Sequence, residues 1–166
     1  ESNYGSAKPV LIDPLGLSDE SVYRIKGEND PDSEAESYGD IIQSIVSPEL
    51  NSTVFDIILL GMGADGHTAS IFPDQINLWD KNELCVVGVH PVTGQKRVSF
   101  TGQLINSADR IIFMVTGESK AHVLSSVINK SNNYKMYPAS LVSPVNGHLE
   151  WFLDQDASSL LKLKIT

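Results

Sequence analysis

Residues 61–70 read GMGADGHTAS and place three glycines, an aspartate and a histidine directly after an apolar run. Glycine lets the backbone turn sharply and brings its N–H groups close to a ligand, and Gly66 is free to take positive φ. Histidine is the natural general acid or base near neutral pH, and a neighbouring carboxylate can orient its ring. We therefore interpret this segment as an anion or oxyanion cradle into which Asp65 and His67 project.

The same segment has a simpler interpretation as a tight turn, in which Asp65 caps a following helix and His67 is an ordinary residue of its first turn. Spacing alone leaves both interpretations open. A dinucleotide fingerprint is disfavoured, because histidine rather than a small residue follows the third glycine. Asp80 lies about where a ribose-binding acid would stand, but it belongs to a polar loop rather than to a strand end.

A second loop with chemical character is VTGESK at residues 115–120. A strand end, a glycine and a helix start with Lys120 in its first turn predict a phosphate site, in which helix N–H groups and the ammonium share the charge. The glycine spacing and Lys-Ser/Thr pair of a Walker loop are absent. Lys120 can equally be an exposed helical lysine. Arg97, on an alternating segment, is either a second phosphate ligand or an ordinary surface charge.

The other histidines and the cysteine indicate no further chemistry. His90 precedes a proline at a strand end, His122 falls on a predicted helix and His148 lies in a turn. No pair has local zinc-ligand spacing, and a single cysteine makes a structural zinc site improbable. Cys85 is expected to be a buried strand residue. We predict neither a metal nor a cofactor.

Apolar runs predict the strands that hold these loops. Residues 55–60 and 109–116 are continuous runs ended by glycine, a pattern typical of strands buried on both faces. Residues 84–89 form a third such run. The remaining strand candidates are 96–101, whose alternation allows one exposed face, 149–153 and the tail 161–165.

Helical spacing of apolar residues predicts two amphipathic helices, at 38–46 and 123–128. Acidic residues 27–34 are expected to form a solvated loop leading to the first helix, and residues 1–24 an irregular entry segment. Strands alternating with helices predict an α/β fold, a three-layer Rossmann-like domain with a mainly parallel sheet flanked by helices on both faces. Ligands bind at the carboxyl ends of such strands, where both candidate loops lie.

The length, charge and cysteine content of the chain limit the partners that it can have. Its 166 residues fit a single domain, 1–166, and no apolar run approaches the length of a membrane span. A net charge of -9 would repel nucleic acid and anionic membranes, so an anionic ligand must meet a local cluster of cations. One cysteine and no recognisable signal peptide predict a cytoplasmic location.

Residues 55–73, FDIILLGMGADGHTASIFP, resemble the central signature of the 6-phosphogluconolactonases, which hydrolyse 6-phosphoglucono-lactone to 6-phosphogluconate in the pentose phosphate pathway. Further segments agree in the order of that family, so the resemblance extends over essentially the whole chain. They are SNYG at 2–5, RVSF at 97–100, VTG at 115–117 followed by Lys120, and EWFLD at 150–154.

The resemblance implies metal-free ester hydrolysis with His67 as the catalytic histidine and Asp65 as its partner. His67 would activate water to attack the lactone carbonyl and then return a proton to the leaving ring oxygen. Backbone amides around Gly61 and Gly63 would stabilise the oxyanion.

The resemblance also assigns the substrate phosphate to Arg97 and Lys120, and places Asn3 near the site. The family usually carries further N-terminal motifs, a Gly-Gly-Ser/Thr-Pro phosphate loop and an Asp-Glu-Arg segment, which do not occur here. The expected domain at 1–166 would then correspond to the C-terminal two thirds of the family domain. The expected partner is a sugar phosphate lactone, and the oligomeric state stays open.

Two other functions remain alternatives. A glucosamine-6-phosphate deaminase or isomerase also carries Asp-Gly-His, but it typically continues Ile-Ala-Phe-Asn-Glu-Pro, whereas residues 68–73 read TASIFP and supply no carboxylate. A non-catalytic fragment that binds a sugar phosphate is the other alternative, and the missing N-terminal motifs are its best support.

Overall fold

Residues 2–46, 55–131 and 133–161 are described by the computed structural model of the chain. The α-helices within these ranges are α1 (Asn3–Ala7), α2 (Pro31–Ile45), α3 (Gly102–Asn106) and α4 (Ala121–Ile128). The strands are β1 (Ile57–Leu60), β2 (Cys85–Val89), β3 (Lys96–Phe100), β4 (Arg110–Val115) and β5 (His148–Leu153). The strand candidate at 161–165 falls outside the described residues except for its first position.

A three-stranded parallel sheet in the order β1-β4-β5 organises the fold. Leu60 at the end of β1 stands opposite Phe113, two residues before the end of β4. Because both strands run in the same direction, the loops that follow them leave from the same edge of the sheet. The predicted α/β class with a parallel, helix-flanked sheet is thereby confirmed.

One face of this sheet carries the main hydrophobic core. Alternate strand residues point into it and pack against α3, α4 and the segment after α4. The most buried members are Ile58, Leu60, Ile111, Phe113, Val115, Ile105 and Leu124. The stacked rings of Phe113 and Trp151, with centroids 4.2 Å apart, join β4 to β5 across this layer.

The opposite face of the sheet is apolar but exposed. Ile57, Leu59, Met114 and Phe152 are 52%, 63%, 58% and 53% exposed. The expectation that the strands at 55–60 and 109–116 are buried on both faces is therefore wrong for the described residues, since none of their helices covers these side chains. A continuous apolar run indicates that both faces of a strand are apolar, but it does not indicate which elements cover them.

The run at 84–89 also differs from its prediction. It supplies β2, which pairs antiparallel with β3 in a separate two-stranded sheet, and α2 packs on this hairpin through Ala35 and Ile42. Cys85 is buried in the same cluster, as expected, and burial raises the pKa of its thiol to about 12. An internal strand and a hairpin strand carry the same short apolar pattern, so the sequence did not separate them.

Two helix starts show how local sequence sets the remaining elements. Asp30 caps α2, because its carboxylate accepts a hydrogen bond from the Ser33 N–H at 3.0 Å. Ser2 caps α1 in the same way through the Gly5 N–H. The entry segment 1–24 is thus partly helical rather than irregular, with α1 running into a π-helical turn at Lys8–Ile12. None of the helices in the described ranges is long and apolar enough to span a membrane.

The unequal faces of the sheet can be tested on two neighbouring leucines. Leu60 is 8% exposed and Leu59 is 63% exposed. Leu60→Thr should lower the free energy of unfolding by about 2–4 kcal/mol, because it places a cavity and a hydroxyl in the core. Leu59→Thr should cost less than about 1 kcal/mol. Urea unfolding of both variants measures the difference, and equal losses would show that the outer face is covered in solution.

Candidate active site

The loop that leaves β1 closes on itself through its glycines. The Gly63 N–H donates to the His67 carbonyl at 2.9 Å, and the Gly66 N–H donates to the Gly63 carbonyl at 3.0 Å. Gly66 has φ of +82°, and a Cβ there would lie 2.5 Å from the ring of Tyr137. The loop therefore needs glycine at 66 both for its backbone conformation and for the close approach of a distant aromatic ring.

Asp65 and His67 form a direct pair at the outer side of this loop. Nδ1 of His67 lies 2.6 Å from Oδ1 of Asp65, and the His67 backbone N–H donates to the same oxygen at 3.2 Å. The carboxylate accepts the Nδ1 proton, so in the neutral imidazole the lone pair is on Nε2. No helix begins at His67, since residues 68–71 form a turn. The alternative in which Asp65 caps a helix is therefore excluded.

Gly63 makes room for this pair. A Cβ at position 63 would lie 2.2 Å from Nδ1 of His67 and 2.5 Å from Oδ1 of Asp65. Its amide is occupied by the His67 carbonyl, so the predicted role of the Gly63 N–H as an oxyanion donor does not fit this geometry. The N–H groups of Ala64 and Asp65 donate to no other group in the described ranges.

The segment after His67 fixes the imidazole from behind. The ring of buried Phe72 lies 4.5 Å from the His67 ring, centroid to centroid. Fully buried Thr68 donates from Oγ1 to the Gly61 carbonyl at 2.8 Å, which ties the two ends of the loop together. Ala69 has φ of +51°, a strained conformation for a residue with a Cβ, next to the candidate base.

Arg97 lies on the hairpin face that packs against this loop. Ser99, two residues further along β3, accepts the Ser70 N–H at 3.0 Å, and Gly88, paired with Arg97, lies against the Ser70 carbonyl. Side chains two apart on a strand share a face, so Arg97 points to the side of the residues that follow His67. Its guanidinium is held by Oε1 of Gln95, with distances of 3.2 Å from Nε and 3.0 Å from Nη2.

Lys120 ends the loop that leaves β4. Gly117 has φ of +92°, and its carbonyl accepts the Lys120 N–H at 3.2 Å, which forms a helical turn just ahead of α4. Lys120 is half-buried, and its ammonium donates to none of the described residues. The pairing of β1 with β4 brings this turn to the same sheet edge as the His67 loop.

Asn3 is the one predicted site residue that the described contacts do not connect to the loops. It is exposed on α1, whose main contacts are with the following turn at Lys8–Ile12. Thr68, Phe72 and Tyr137 are supporting residues that sequence reasoning did not single out. Only the buried pair Ile71-Phe72 could have been suspected from its apolar character, since nothing in the sequence connects Tyr137 to Gly66.

Fold and site together define a class of protein. A parallel sheet with two glycine turns at its carboxyl edge, one presenting a His–Asp pair and the other a lysine at a helix start, defines a Rossmann-like α/β protein with a candidate ligand site at that edge. In the described ranges, no group of three or more His, Cys, Asp or Glu side chains is arranged to hold a metal ion.

Comparison with known proteins makes this class specific. Residues 1–151 match the family described as glucosamine-6-phosphate isomerases/6-phosphogluconolactonase, and the chain belongs to that family. A 6-phosphogluconolactonase of Aggregatibacter actinomycetemcomitans is 44% identical over 161 residues, which make up 97% of this chain and 67% of that protein. One of Treponema pallidum is 50% identical over 127 residues, 76% of this chain and 53% of that protein.

A solved structure agrees with these sequence comparisons. The crystal structure of the devB protein superposes with a TM-score of 0.88 at 40% identity, over 96% of this chain and 66% of that one. The names of the two sequence relatives confirm the resemblance and the predicted class of enzyme, a carboxylic ester hydrolase. The chain spans between about half and two thirds of the length of these three proteins.

A matched pair of glycine substitutions tests whether Gly63 is needed to leave space for the His67–Asp65 contact. Gly63→Ala should push the His67 ring away from Asp65 and abolish the downfield NMR signal of the hydrogen-bonded Nδ1 proton, because the added Cβ overlaps the ring. Gly61→Ala should preserve that signal, since a Cβ there meets no atom within 4 Å. Retention of the signal in both variants would contradict the assigned contact.

Proposed function

We propose that this chain hydrolyses 6-phosphoglucono-1,5-lactone to 6-phosphogluconate, with His67 as general base and without a metal ion. The observation that carries the proposal is the 2.6 Å contact between Nδ1 of His67 and Asp65, which leaves Nε2 free to accept a proton. The names of the relatives supply the substrate class. The side chain of His67 is 26% exposed, so water and substrate can reach it.

In the proposed reaction, Nε2 of His67 removes a proton from a water molecule as the water oxygen bonds to the lactone carbonyl carbon. Asp65 stabilises the imidazolium that forms. The N–H groups of Ala64 and Asp65, which donate to none of the described residues, stabilise the oxyanion in place of the Gly63 amide, which is already bonded. The bond from carbon to the ring oxygen then breaks, and the imidazolium gives its proton to that oxygen.

Lys120 and Arg97 supply the positive charge for the substrate phosphate in this proposal. Lys120 lies at the sheet edge that carries His67, and Arg97 lies on the hairpin strand whose Ser99 contacts the segment after His67. The helical turn at Lys120 adds N–H groups without internal partners. In a chain with a net charge of -9, these local cations are what makes a dianionic phosphate acceptable. Binding the phosphate would fix the distant carbonyl carbon in front of His67.

Substitution of the His–Asp pair tests the chemical step. His67→Ala should lower kcat by at least about a hundredfold, because the general base is lost. Asp65→Asn should cause a smaller loss, about tenfold, since its amide oxygen still accepts from Nδ1 but no longer stabilises the imidazolium. His148→Ala, at the amino end of β5, is the matched control and should keep wild-type kcat. Full activity of His67→Ala would disprove the assignment.

The phosphate role of Lys120 is tested by comparing two substrates. Lys120→Ala should raise KM for the phosphorylated lactone by about tenfold or more and leave hydrolysis of unphosphorylated glucono-1,5-lactone unchanged. Lys81→Ala, which removes an exposed lysine of the polar loop before β2, controls for net charge. A parallel loss on both lactones in Lys120→Ala would show that the lysine acts on the fold rather than on phosphate.

The two alternatives give different results in the same assays. A deaminase would release ammonia from glucosamine 6-phosphate, which our mechanism does not allow because residues 68–73 carry no carboxylate. A non-catalytic sugar-phosphate protein would bind 6-phosphogluconate and hydrolyse neither lactone.

A further inference from the structure

Asp154 connects the end of β5 to the loop that carries Lys120. Both of its carboxylate oxygens accept the Gly117 N–H, at 3.1 Å for Oδ1 and 3.0 Å for Oδ2. Oδ1 also accepts the Ala157 N–H at 2.7 Å. This half-buried carboxylate thus bonds to a neighbouring loop and to its own turn, and it pairs with no cation in the part of the chain that the structure describes.

Gly117 needs such a partner, because its own surroundings do not fix it. Its φ of +92° and ψ of 144° are rarely adopted by residues with a side chain, and no atom lies within 4 Å of where its Cβ would be. Glycine in open space has a wide choice of conformations, so contacts of its peptide group must select one. The bond to Asp154 fixes its N–H, and its carbonyl in turn accepts the Lys120 N–H.

Asp154 is itself held firmly. Its N–H donates to the Val115 carbonyl at 3.4 Å, continuing the pairing of β5 with β4 by one residue. Its carbonyl accepts both the N–H of Ser158 at 3.1 Å and the hydroxyl of the same residue at 2.8 Å. The carboxylate is therefore a fixed point on the sheet edge against which the Gly117 turn is set.

We propose that Asp154 is a positioning residue that sets the turn at 116–120 so that Lys120 and the first N–H groups of this turn converge on the substrate phosphate. This inference rests on the proposed function, since it assigns the phosphate to that turn. The Gly117 N–H is not a phosphate donor here, because Asp154 occupies it. The remaining donors are the N–H groups of Glu118 and Ser119, which have no partner within the turn.

Asp154 acts on phosphate binding in two opposing ways, and substitutions separate them. Its negative charge near the turn disfavours an anion, whereas its hydrogen bonds hold the turn in shape. If Asp154 acted only as a repulsive charge, both Asp154→Asn and Asp154→Ala would bind the phosphate more tightly. Loss of positioning weakens binding in Asp154→Ala, and Asp154→Asn recovers part of it, because its remaining oxygen can still accept from Gly117 and Ala157.

The experiment measures binding of 6-phosphogluconate and of unphosphorylated gluconate by calorimetry, together with KM and kcat on the lactone. We expect Asp154→Ala to weaken 6-phosphogluconate binding and raise KM by about tenfold, with kcat changed less than about threefold. Asp154→Asn should fall between Asp154→Ala and wild type. Asp156→Ala removes an equal charge two residues after Asp154, and its binding of 6-phosphogluconate should match that of wild type. Gluconate binding should be the same in all four proteins.

The outcomes distinguish this inference from the proposed function. Three results would overturn the positioning role and leave the proposed hydrolysis intact. They are tighter 6-phosphogluconate binding in both Asp154 variants, unchanged 6-phosphogluconate binding in both, or an equal loss of gluconate binding. Wild type that binds 6-phosphogluconate but does not hydrolyse the lactone would overturn the proposed reaction, and the order of binding among the variants would still decide the role of Asp154. If Asp154→Ala does not fold by circular dichroism, Asp154→Asn alone decides between tighter and weaker binding.

Discussion

The parallel pairing of β1 with β4 is the constraint on which the site depends. It is a long-range pairing, with Leu60 opposite Phe113, and it places the ends of two strands from distant parts of the chain at one edge. The His67 loop and the Lys120 turn are adjacent only because of this register. A register shift of one residue would move the core side chains to the exposed face, so the buried residues of these strands protect the site geometry as well as the fold.

The His67 loop adopts strained backbone conformations that fix the position of the His67 ring. The Gly63 N–H bonds to the His67 carbonyl, a Cβ at position 63 would overlap the His67 ring, and Ala69 is held at positive φ. These features cost conformational free energy, and buried neighbours such as Phe72 and Thr68 offset the cost. The result is an imidazole whose Nδ1 is bonded to Asp65 and whose Nε2 has no hydrogen-bond partner among the described residues. The strained backbone thus lies beside the proposed base, whose orientation it helps to define.

Sequence reasoning found the parts of this arrangement that local patterns encode. The strands of the parallel sheet, the helix after Gly117 and the Asp65–His67 pair follow from apolar runs, helical spacing and a glycine-rich turn. The predictions from sequence were wrong for features that depend on long-range packing. The outer face of β1, the antiparallel partner of β2 and the bonded amide of Gly63 depend on which elements meet in space. Asp154 was noticed only as part of a matching segment, because its partner Gly117 is far away in the chain.

The arrangement of charges is compatible with the phosphate site proposed for this acidic chain. Four cations of the described ranges pair with carboxylates: Lys8 with Asp13, Arg24 with Glu28, Lys96 with Asp32, and Arg110 with Glu150. Such exposed pairs add little stability, but each removes one positive charge from the surface field. Arg97 instead contacts a neutral amide, and Lys120 pairs with no described carboxylate. The carboxylate of Asp154 accepts the Gly117 N–H, and no hydrogen bond joins it to Lys120. The turn is thus held in place without neutralising the lysine, as the proposed phosphate site requires.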